Sequence, residues 1–238
     1  MPAWFTLDGV SCEDAGIHVL EFPPYTIAQR KVVTFPVPGS QDEHLFEGDW
    51  GYEDMELPVR CTVDEDAAPE DVISFLTPST RRIVFANQPA YEYTGFLANM
   101  LEIAKVLPER GKREFTARYR CSPFKALAWP DDPMAFIVSP AYIDHPGTAR
   151  CYPKIKIEGS GTVTLTLHAV DTFTVTGLVS GTPFVIDSGA MICTDENGIS
   201  DWSSRAEGDY PWLDPGINML SWTGNVTQIT VTPNFLWI

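Results

Sequence analysis

Apolar and polar residues alternate along much of this chain with the period of two that is typical of half-buried β-strands. From Met55 to Val63, every second residue is apolar and the residues between are polar or proline. The same alternation recurs over residues 114–121, 154–158, 162–168 and 172–176. Pro58 lies inside the first of these strands. Because proline cannot donate to a ladder, its presence predicts an edge position or a bulge.

Glycine-rich and proline-rich turns separate these predicted strands. Asn197-Gly198 predicts a hairpin turn, and Asp214-Pro215-Gly216 predicts a turn with proline fixing one φ angle. Gly159-Ser160-Gly161 and Gly224-Asn225 each predict a turn between two strands. Short strands at this spacing predict two packed antiparallel sheets.

One α-helix is predicted over residues 66–76. Pro69, Glu70 and Asp71 suit the first turn of a helix, where a missing N–H is harmless and negative charge is favoured. An apolar stripe follows at Val72, Phe75 and Leu76. Thr77-Pro78 predicts its end.

A cluster of prolines at positions 123, 130, 133 and 140 predicts a domain boundary. We expect a mainly β protein with two domains. Residues 1–125 form a β domain with one α-helix, and residues 126–238 form an antiparallel β-sandwich.

The charge of the chain excludes several classes of partner. The 238 residues carry a formal net charge of -16. An acidic surface argues against stable binding of nucleic acid and against capture by an anionic membrane surface. No apolar run approaches the roughly 20 residues of a membrane helix, and the first residues lack the features of a signal peptide.

The five cysteines are widely spaced and odd in number, and no CxxC motif is present. This pattern predicts buried thiols in a reducing compartment rather than a metal or redox site.

Candidate catalytic residues are few. His18, His44, His145 and His168 are scattered without metal-ligand spacing, and His168 falls on the threonine side of an alternating strand. Ser160 lacks the spacing of a nucleophile elbow. The segment from Asp195 to Asp201 lacks the order of a calcium loop and predicts a turn. We therefore predict no catalytic residue, no cofactor site and no metal site.

The aromatic residues leave two interpretations open. Trp202, Trp212, Trp222 and Trp237 all fall near the end of the chain. Exposed tryptophan could stack on sugar rings, but tryptophan in a core or a protein interface is commoner.

Several turn motifs, in this order and at these distances, resemble the distal tail protein family of long-tailed phages. They are Phe5-x-Leu7-Asp8-Gly9-Val10, Val37-Pro38-Gly39-Ser40, Phe115-x-Ala117-x-Tyr119-x-Cys121-x-Pro123, Pro146-Gly147-Thr148-Ala149-Arg150-Cys151-Tyr152-Pro153 and Leu213-x-Pro215-Gly216-x-Asn218.

The resemblance implies a non-enzymatic virion protein, assembled in the host cytoplasm, that forms a hexameric ring at the tail tip. Residues 1–125 would form a belt around a channel for DNA, and residues 126–238 an outward galectin-like domain. The implied partners are further copies of the chain, the tail tube protein, the tail-associated baseplate or fibre protein and also the tape measure protein. No His-Asn-x-Arg run is present, so the fold does not bring sugar binding with it.

Two other functions stay open from the residues alone. One is a carbohydrate-binding module or receptor-binding adhesin that uses the late tryptophans. The other is a hydrolase of wall polymers with Asp131, Asp132 or Asp187 as acids, which requires paired carboxylates at a suitable separation. If the ring forms, an acidic channel wall would repel DNA and let it pass.

Overall fold

The computed structural model describes residues 4–36, 43–77, 80–101, 104–105, 113–167 and 171–238, with the backbone alone described at 32–36, 43–50, 104–105 and 171. The turn at Val37-Pro38-Gly39-Ser40, Pro78 and His168 lie outside the described residues. The chain divides into two compact units. The first is Met1–Ala128 with Ile238, and the second is Trp129–Trp237.

The first unit is built on one antiparallel sheet. Its elements are β1 (Phe5–Leu7), β2 (Val10–Ser11), β3 (Ile17–Glu21), β4 (Arg30–Pro36), β5 (Glu43–Tyr52), β6 (Met55–Val63), α1 (Pro69–Leu76), β7 (Arg81–Phe85), β8 (Tyr91–Leu97), β9 (Ala104–Lys105) and β10 (Arg113–Leu127). The strand order is β2-β1-β7-β8-β10-β6-β3, and β9 also pairs with β10. Strand β10 continues to Leu127, past residue 125 where the sequence analysis divides the chain.

The alternation predicted for β6 is confirmed. Met55, Leu57, Val59, Cys61 and Val63 are all buried. They form one core with residues of β1, β7 and β10. Burial of this apolar face, at about 25 cal/mol per Å² of apolar surface, stabilises the sheet.

The predicted edge position of Pro58 is wrong in part. Strand β6 is an interior strand, since β10 pairs on one side and β3 on the other. However, β3 pairs only with residues from Arg60 to Val63. At Pro58 the sole paired neighbour within the described residues is therefore β10, opposite Arg118. The absent N–H is tolerated because no second strand reaches that position.

Helix α1 is confirmed and begins at Pro69, in the first turn where proline is favoured. Val72 and Leu76 are buried against the core of the first unit. The helix ends at Leu76 and is capped by Thr77, whose backbone N–H donates to the Ile73 carbonyl at 2.9 Å.

Strands β4 and β5 form a separate two-stranded ribbon. Within the described residues, they pair only with each other. The ribbon is joined to β3 by the extended segment 22–29, where Tyr25 and Ile27 are 77% and 79% exposed. At its base, the Tyr52 ring contacts Phe124, with ring centroids 5.5 Å apart.

The second unit is also antiparallel throughout its described strands. They are β11 (Met134–Phe136), β12 (Ala141–His145), β13 (Lys154–Leu167), β14 (Asp171–Leu178), β15 (Phe184–Asp187), β16 (Ile192–Asp195), β17 (Ala206–Gly208) and β18 (Gly216–Thr232). The strand order is β11-β18-β13-β14-β17; β12 pairs with β18, and β15 pairs with β13 and β16.

The predicted turns at Gly159-Ser160-Gly161 and at Gly224-Asn225 are wrong. Each lies inside one long strand, β13 or β18, where the pairing register shifts. Ser160 pairs with Asn225, so the two irregular points face each other and both strands continue past them. Glycines with positive φ, Gly161 and Gly224, here produce bulges rather than hairpins.

The remaining predictions of fold class are confirmed. The protein is mainly β, and α1 is the one α-helix among the described residues. Its curled antiparallel sheets agree with a sandwich in the second unit, around a core that includes Ile155, Leu165, Phe173 and Ile229. No helix within the described ranges is long and apolar enough to cross a membrane.

Candidate functional site

The histidines that the sequence analysis considered do not converge. His18 is partly exposed, with Nε2 3.0 Å from Asp64 Oδ2. His145 is buried in the second unit. The side chain of His44 and the whole of His168 lie outside the described part. Across the part of the chain that the structure describes, no group of three or more His, Cys, Asp or Glu side chains could hold a metal ion.

The cysteines are all buried and free, as the sequence analysis predicts. Burial raises the pKa of Cys12 to about 11 and the pKa values of Cys61, Cys121 and Cys151 to about 12. Burial also raises the pKa of Cys193. These thiols stay protonated at neutral pH, so they are poor nucleophiles and pack as small apolar groups.

Asp187, which was considered as an acid, and Asp195 and Asp201, from the segment compared with a calcium loop, each hold a backbone turn. Asp187 Oδ1 accepts from the Ala190 N–H at 3.0 Å, and Asp195 Oδ1 accepts from the Ile199 N–H at 2.9 Å. Asp201 Oδ1 accepts from the Ser203 N–H at 2.9 Å. The backbone hydrogen bonds hold the pKa values of Asp195 and Asp201 below the usual range. Each carboxylate thus has a structural partner.

Asp131 contributes to a buried polar cluster in the second unit. Its Oδ2 accepts from the Phe235 N–H at 2.6 Å, while burial raises its pKa. The Phe235 ring stacks on His145 at 4.7 Å between centroids. His145 is 1% exposed. We name Asp131, His145, Gly147, Ala149, Phe235 and Leu236 the His145 knot.

Both ring nitrogens of His145 are hydrogen-bonded to backbone. Nδ1 accepts from the Gly147 N–H at 2.9 Å, and Nε2 lies 2.8 Å from the Ala149 carbonyl oxygen. An N–H can only donate, and a carbonyl can only accept. The ring is therefore neutral, with its proton on Nε2. Burial lowers its pKa, which favours this neutral form.

Asn218 organises the turn that leads into β18. This side chain is 1% exposed. Its Nδ2 donates to the carbonyls of Asp214 and Gly216 at 2.8 and 2.9 Å, and its Oδ1 accepts from the Asp214 N–H at 2.9 Å. The motif Leu213-x-Pro215-Gly216-x-Asn218 thus has a physical basis, because the asparagine closes the turn that the proline and glycine begin.

Two other motif segments meet this turn. Cys151 and Leu213 exchange backbone hydrogen bonds of 3.0 and 2.9 Å. Arg150 Nε donates to Asp214 Oδ1 at 2.8 Å, and the guanidinium lies over the Trp212 ring at 4.9 Å. The motif from Pro146 to Pro153 and the motif around Pro215 therefore form one structural assembly, not a catalytic one.

The four late tryptophans do not form an exposed platform. Trp202, Trp222 and Trp237 are partly buried against the core of the second unit. Trp202 stacks on Phe184 at 5.6 Å between centroids. Trp212 lies under the Arg150 guanidinium. This arrangement supports the core interpretation of these residues over sugar stacking.

The second unit offers no free cation to an anionic ligand. Its four Lys and Arg residues are all described. Arg150 pairs with Asp214, Lys154 with Asp187 at 3.8 Å, and Lys156 with Glu158 and Glu196 at 3.2 Å each. Arg205 lies over Trp202 at 4.7 Å and donates to backbone carbonyls. Electrostatic capture of a phosphate polymer would have to break these contacts.

Three arginines of the first unit lie on the outer face of β6 and β10. Arg60–Glu114, Arg118–Glu56 and Arg120–Asp54 are ion pairs of 2.8, 2.9 and 2.8 Å. An open hollow of about 410 Å³ lies beside the last pair, lined by Lys31, Glu53, Asp54, Met55, Glu56 and Arg120. Opposite charges line it together, which suits a polar protein contact better than a small-molecule site.

Comparison with solved structures shows which known fold this chain shares. The chain superposes on the crystal structure of SPP1 Dit (gp 19.1) with a TM-score of 0.79 at 16% identity, over 99% of each chain. The chain has the fold of SPP1 Dit. That protein is described as a paradigm of the hub adsorption apparatus in phages that infect Gram-positive bacteria.

A chain of the activated phage P2 baseplate with Ca matches less closely. Its TM-score is 0.51 at 6% identity, over 99% of this chain and 100% of that one. Neither a protein-family model nor a curated protein sequence matches the chain. The fold that the resemblance to distal tail proteins implies is confirmed, and at these identities the likeness concerns the fold.

Sequence reasoning missed the roles of His145 and Asn218. His145 was one of four scattered histidines, although its alternation with Ile143 and Ala141 places it on the buried face of β12. Asn218 belonged to a recognised motif, but nothing in the spacing told which backbone groups it would bind. The sequence signal that could have found both residues is a polar residue at a strand position where the alternation predicts an apolar one.

Proposed function

We propose that this chain is a structural subunit of the distal tail ring of a long-tailed phage or prophage. The observation that carries the proposal is the end-to-end likeness to SPP1 Dit, which includes both units rather than one common domain. Asp187 holds a backbone turn and His145 lies in the core, which supports a structural, non-enzymatic role. The site of action would be the virion tail tip, after assembly in the host cytoplasm.

The two regions would have different roles in the ring. Residues 1–125 would form the belt of a homo-hexamer around a channel for DNA, and residues 126–238 would project outward as a galectin-like domain. The ring would join the tail tube protein to the tail-associated baseplate or fibre protein and would meet the tape measure protein. The fold likeness and the ordered sequence motifs support these partners.

The β4–β5 ribbon supports contact between copies. A two-stranded ribbon alone is marginally stable in water, because it cannot bury an apolar face. Both ribbon strands lack a further paired strand within the described residues. The adjoining segment exposes Tyr25 and Ile27. A neighbouring subunit in a ring would cover this region.

The acid excess supports a channel that does not retain DNA. The formal net charge is -16 per chain. On the first unit, cations such as Arg60, Arg118 and Arg120 already pair with acids. Retention of DNA needs Lys and Arg that can displace counterions. A map of the assembled ring tests this point, and a lumen lined mainly by Arg and Lys would contradict it.

A matched pair of variants tests the ring and its location. Ile27 in the first unit and Ile217 in the second are 79% and 78% exposed, so neither is needed for the core. We expect mass photometry of the wild type to show hexamers at micromolar concentration. Ile27→Asp should weaken the hexamer by at least about tenfold in concentration, because a buried charge in an interface is costly. Ile217→Asp should leave it unchanged.

Three outcomes separate the parts of the proposal. A wild type that stays monomeric at high concentration, with no ring in assembled tails, would contradict the ring. If only Ile217→Asp disrupts the hexamer, the ring contacts are made by the second unit and not by the first. If Ile27→Asp and Ile217→Asp form hexamers of the same stability, segment 22–29 is not part of the contact between subunits.

The carbohydrate-binding alternative has less support, because the late tryptophans pack inward or under a guanidinium. A glycan array with the intact chain distinguishes it. Measurable affinity that a single Trp→Ala change abolishes would restore this alternative.

A further inference from the structure

The His145 knot ties the end of the chain to the second unit through one neutral imidazole. The His145 ring holds the 147–149 backbone by two hydrogen bonds. That backbone in turn holds Leu236, whose carbonyl accepts from the N–H groups of Thr148 and Ala149 at 3.1 Å each. The same ring stacks on Phe235. The His145 ring and the 147–149 backbone thus hold segment 233–237 together with two other contacts, from the Phe235 N–H to Asp131 Oδ2 and from Asn234 Nδ2 to the Tyr152 carbonyl.

The geometry leaves no room for a second ring proton. Nδ1 must accept from the Gly147 N–H, so a proton on Nδ1 would face an N–H that cannot turn into an acceptor. A Cβ at residue 147 would collide with the Leu236 carbonyl and the His145 ring, so these groups pack closely against Gly147. A proton on Nδ1 is therefore incompatible with the contact that holds the 147–149 backbone in this arrangement.

We propose that the His145 knot is an acid-sensitive latch that holds segment 233–237 on the second unit and releases it when Nδ1 takes a proton from water. This inference goes beyond the ring proposal and does not depend on it.

The surroundings of the ring both raise and lower the pKa of His145. The charged groups that act on the ring are Asp131 before β11, Asp144 on β12 and Asp214 before β18; Asp132 acts on Asp131, Arg150 pairs with Asp214, and segment 233–237 carries no titratable side chain. Carboxylates raise the pKa of His145, as does the hydrogen bond to Ala149, but burial lowers it more. Asp131 has its Oδ2 committed to Phe235, and no hydrogen bond joins it to the ring.

The sign of the pH effect follows from the direction of the shift. A histidine whose pKa is lowered by folding binds a proton more readily in the open state. The closed latch is thus fully stable above the ordinary histidine pKa of 6.5 and weakens as the pH falls below it. Asp131 has the opposite sign, because its raised pKa favours closure as the pH falls through that raised value toward the ordinary 3.8.

Hydrogen exchange of the intact wild-type chain tests the latch. After correction for intrinsic exchange rates, we expect protection of peptides 141–151 and 232–238 to fall at least about tenfold from pH 7.5 to pH 5. A peptide covering 163–167 in β13 serves as the internal control and should keep its protection. Unchanged protection at the knot, or an equal fall in β13, would overturn the proposal.

A second measurement does not depend on any variant. Nitrogen NMR of histidine-labelled wild type should show one ring protonated only at Nε2 at pH 7.5 and titrating below the ordinary histidine pKa of 6.5. A knot histidine with its proton on Nδ1 would refute the geometry. If His145→Gln folds, it should remove the pH dependence of exchange in segment 233–237, and a retained dependence would assign the effect to another group.

Discussion

The two units offer examples of polar side chains satisfied in two different ways. In the first unit, Arg118 and Glu56 meet on the exposed face of the sheet, where their side chains are 57% and 56% exposed. In the second unit, His145 and Asn218 are buried to 1% exposure and bind backbone groups. Both arrangements satisfy polar atoms, but one does so in water and the other within the core.

This difference decides which contacts determine stability. Exposed ion pairs contribute at most about 1 kcal/mol, because water already solvates both charges. A buried polar group that loses its partner has no water to replace it, so the full desolvation penalty appears. The first unit should therefore depend mainly on its apolar core, and the second unit also on a few buried hydrogen-bonding side chains.

The largest expected effect is at Asn218. We expect Asn218→Ala to reduce the free energy of unfolding of the second unit by roughly 3 kcal/mol, because the Asp214 N–H and two carbonyls lose their partner at once. Urea unfolding read by hydrogen exchange of peptides from each unit measures this change. Asn225→Ala is the control, because the hydrogen bond from Asn225 to Ser160 Oγ is exposed. Its loss should lower the free energy of unfolding by less than about 0.5 kcal/mol. Equal losses in the two variants would break the comparison.

Smaller changes in stability, of opposite sign, are expected when two tyrosines of the first unit are replaced by phenylalanine. Tyr119 is 1% exposed, and its hydroxyl has no hydrogen-bond partner among the described residues. Tyr93 is 3% exposed, but its hydroxyl donates to Gln88 Oε1 at 2.7 Å. Tyr119→Phe should stabilise the first unit by about 1 kcal/mol, and Tyr93→Phe should destabilise it by about the same amount.

Thermal unfolding of both tyrosine variants gives the measurement. The two substitutions delete the same atom from similarly buried rings, so each serves as the control for the other. A loss of stability in Tyr119→Phe would mean that its hydroxyl has a partner, as the hydroxyl of Tyr93 does.

The smallest effect concerns the exposed ion pairs. A double-mutant cycle on Arg118 and Glu56, each changed to Gln, should give a coupling below about 0.5 kcal/mol that disappears in high salt. The same cycle on Arg150 and Asp214 should give a larger coupling that persists in salt, because Arg150 is 28% exposed and also covers Trp212. Equal couplings for the two pairs would remove the contrast between the units.

The sequence alone predicted the local structure where one physical signal dominated. The alternation from Met55 to Val63 determined β6, because burying every second side chain requires a strand. Pro69 with two following acids determined the start of α1. The buried state of the five thiols followed from their spacing and apolar character. The motif order also indicated the fold shared with SPP1 Dit.

Tertiary contacts decided the features that no local signal contains. Gly159-Ser160-Gly161 and Gly224-Asn225 have the composition of turns, but they face each other across β13 and β18 and become paired bulges. Pro58 is tolerated in an interior strand because β3 ends at Glu21, opposite Arg60, and does not reach Pro58.

His145 reads as one of four scattered histidines until the chain end folds against it. Its tautomer depends on Gly147 and Ala149, and its ring contact on Phe235, ninety residues away. The sequence by itself thus determined which segments are strands, helix and core, since periodicity and turn chemistry act within a few residues. Only the tertiary structure decided which interruptions bend a strand and which polar residues are buried, because both depend on partners distant along the chain.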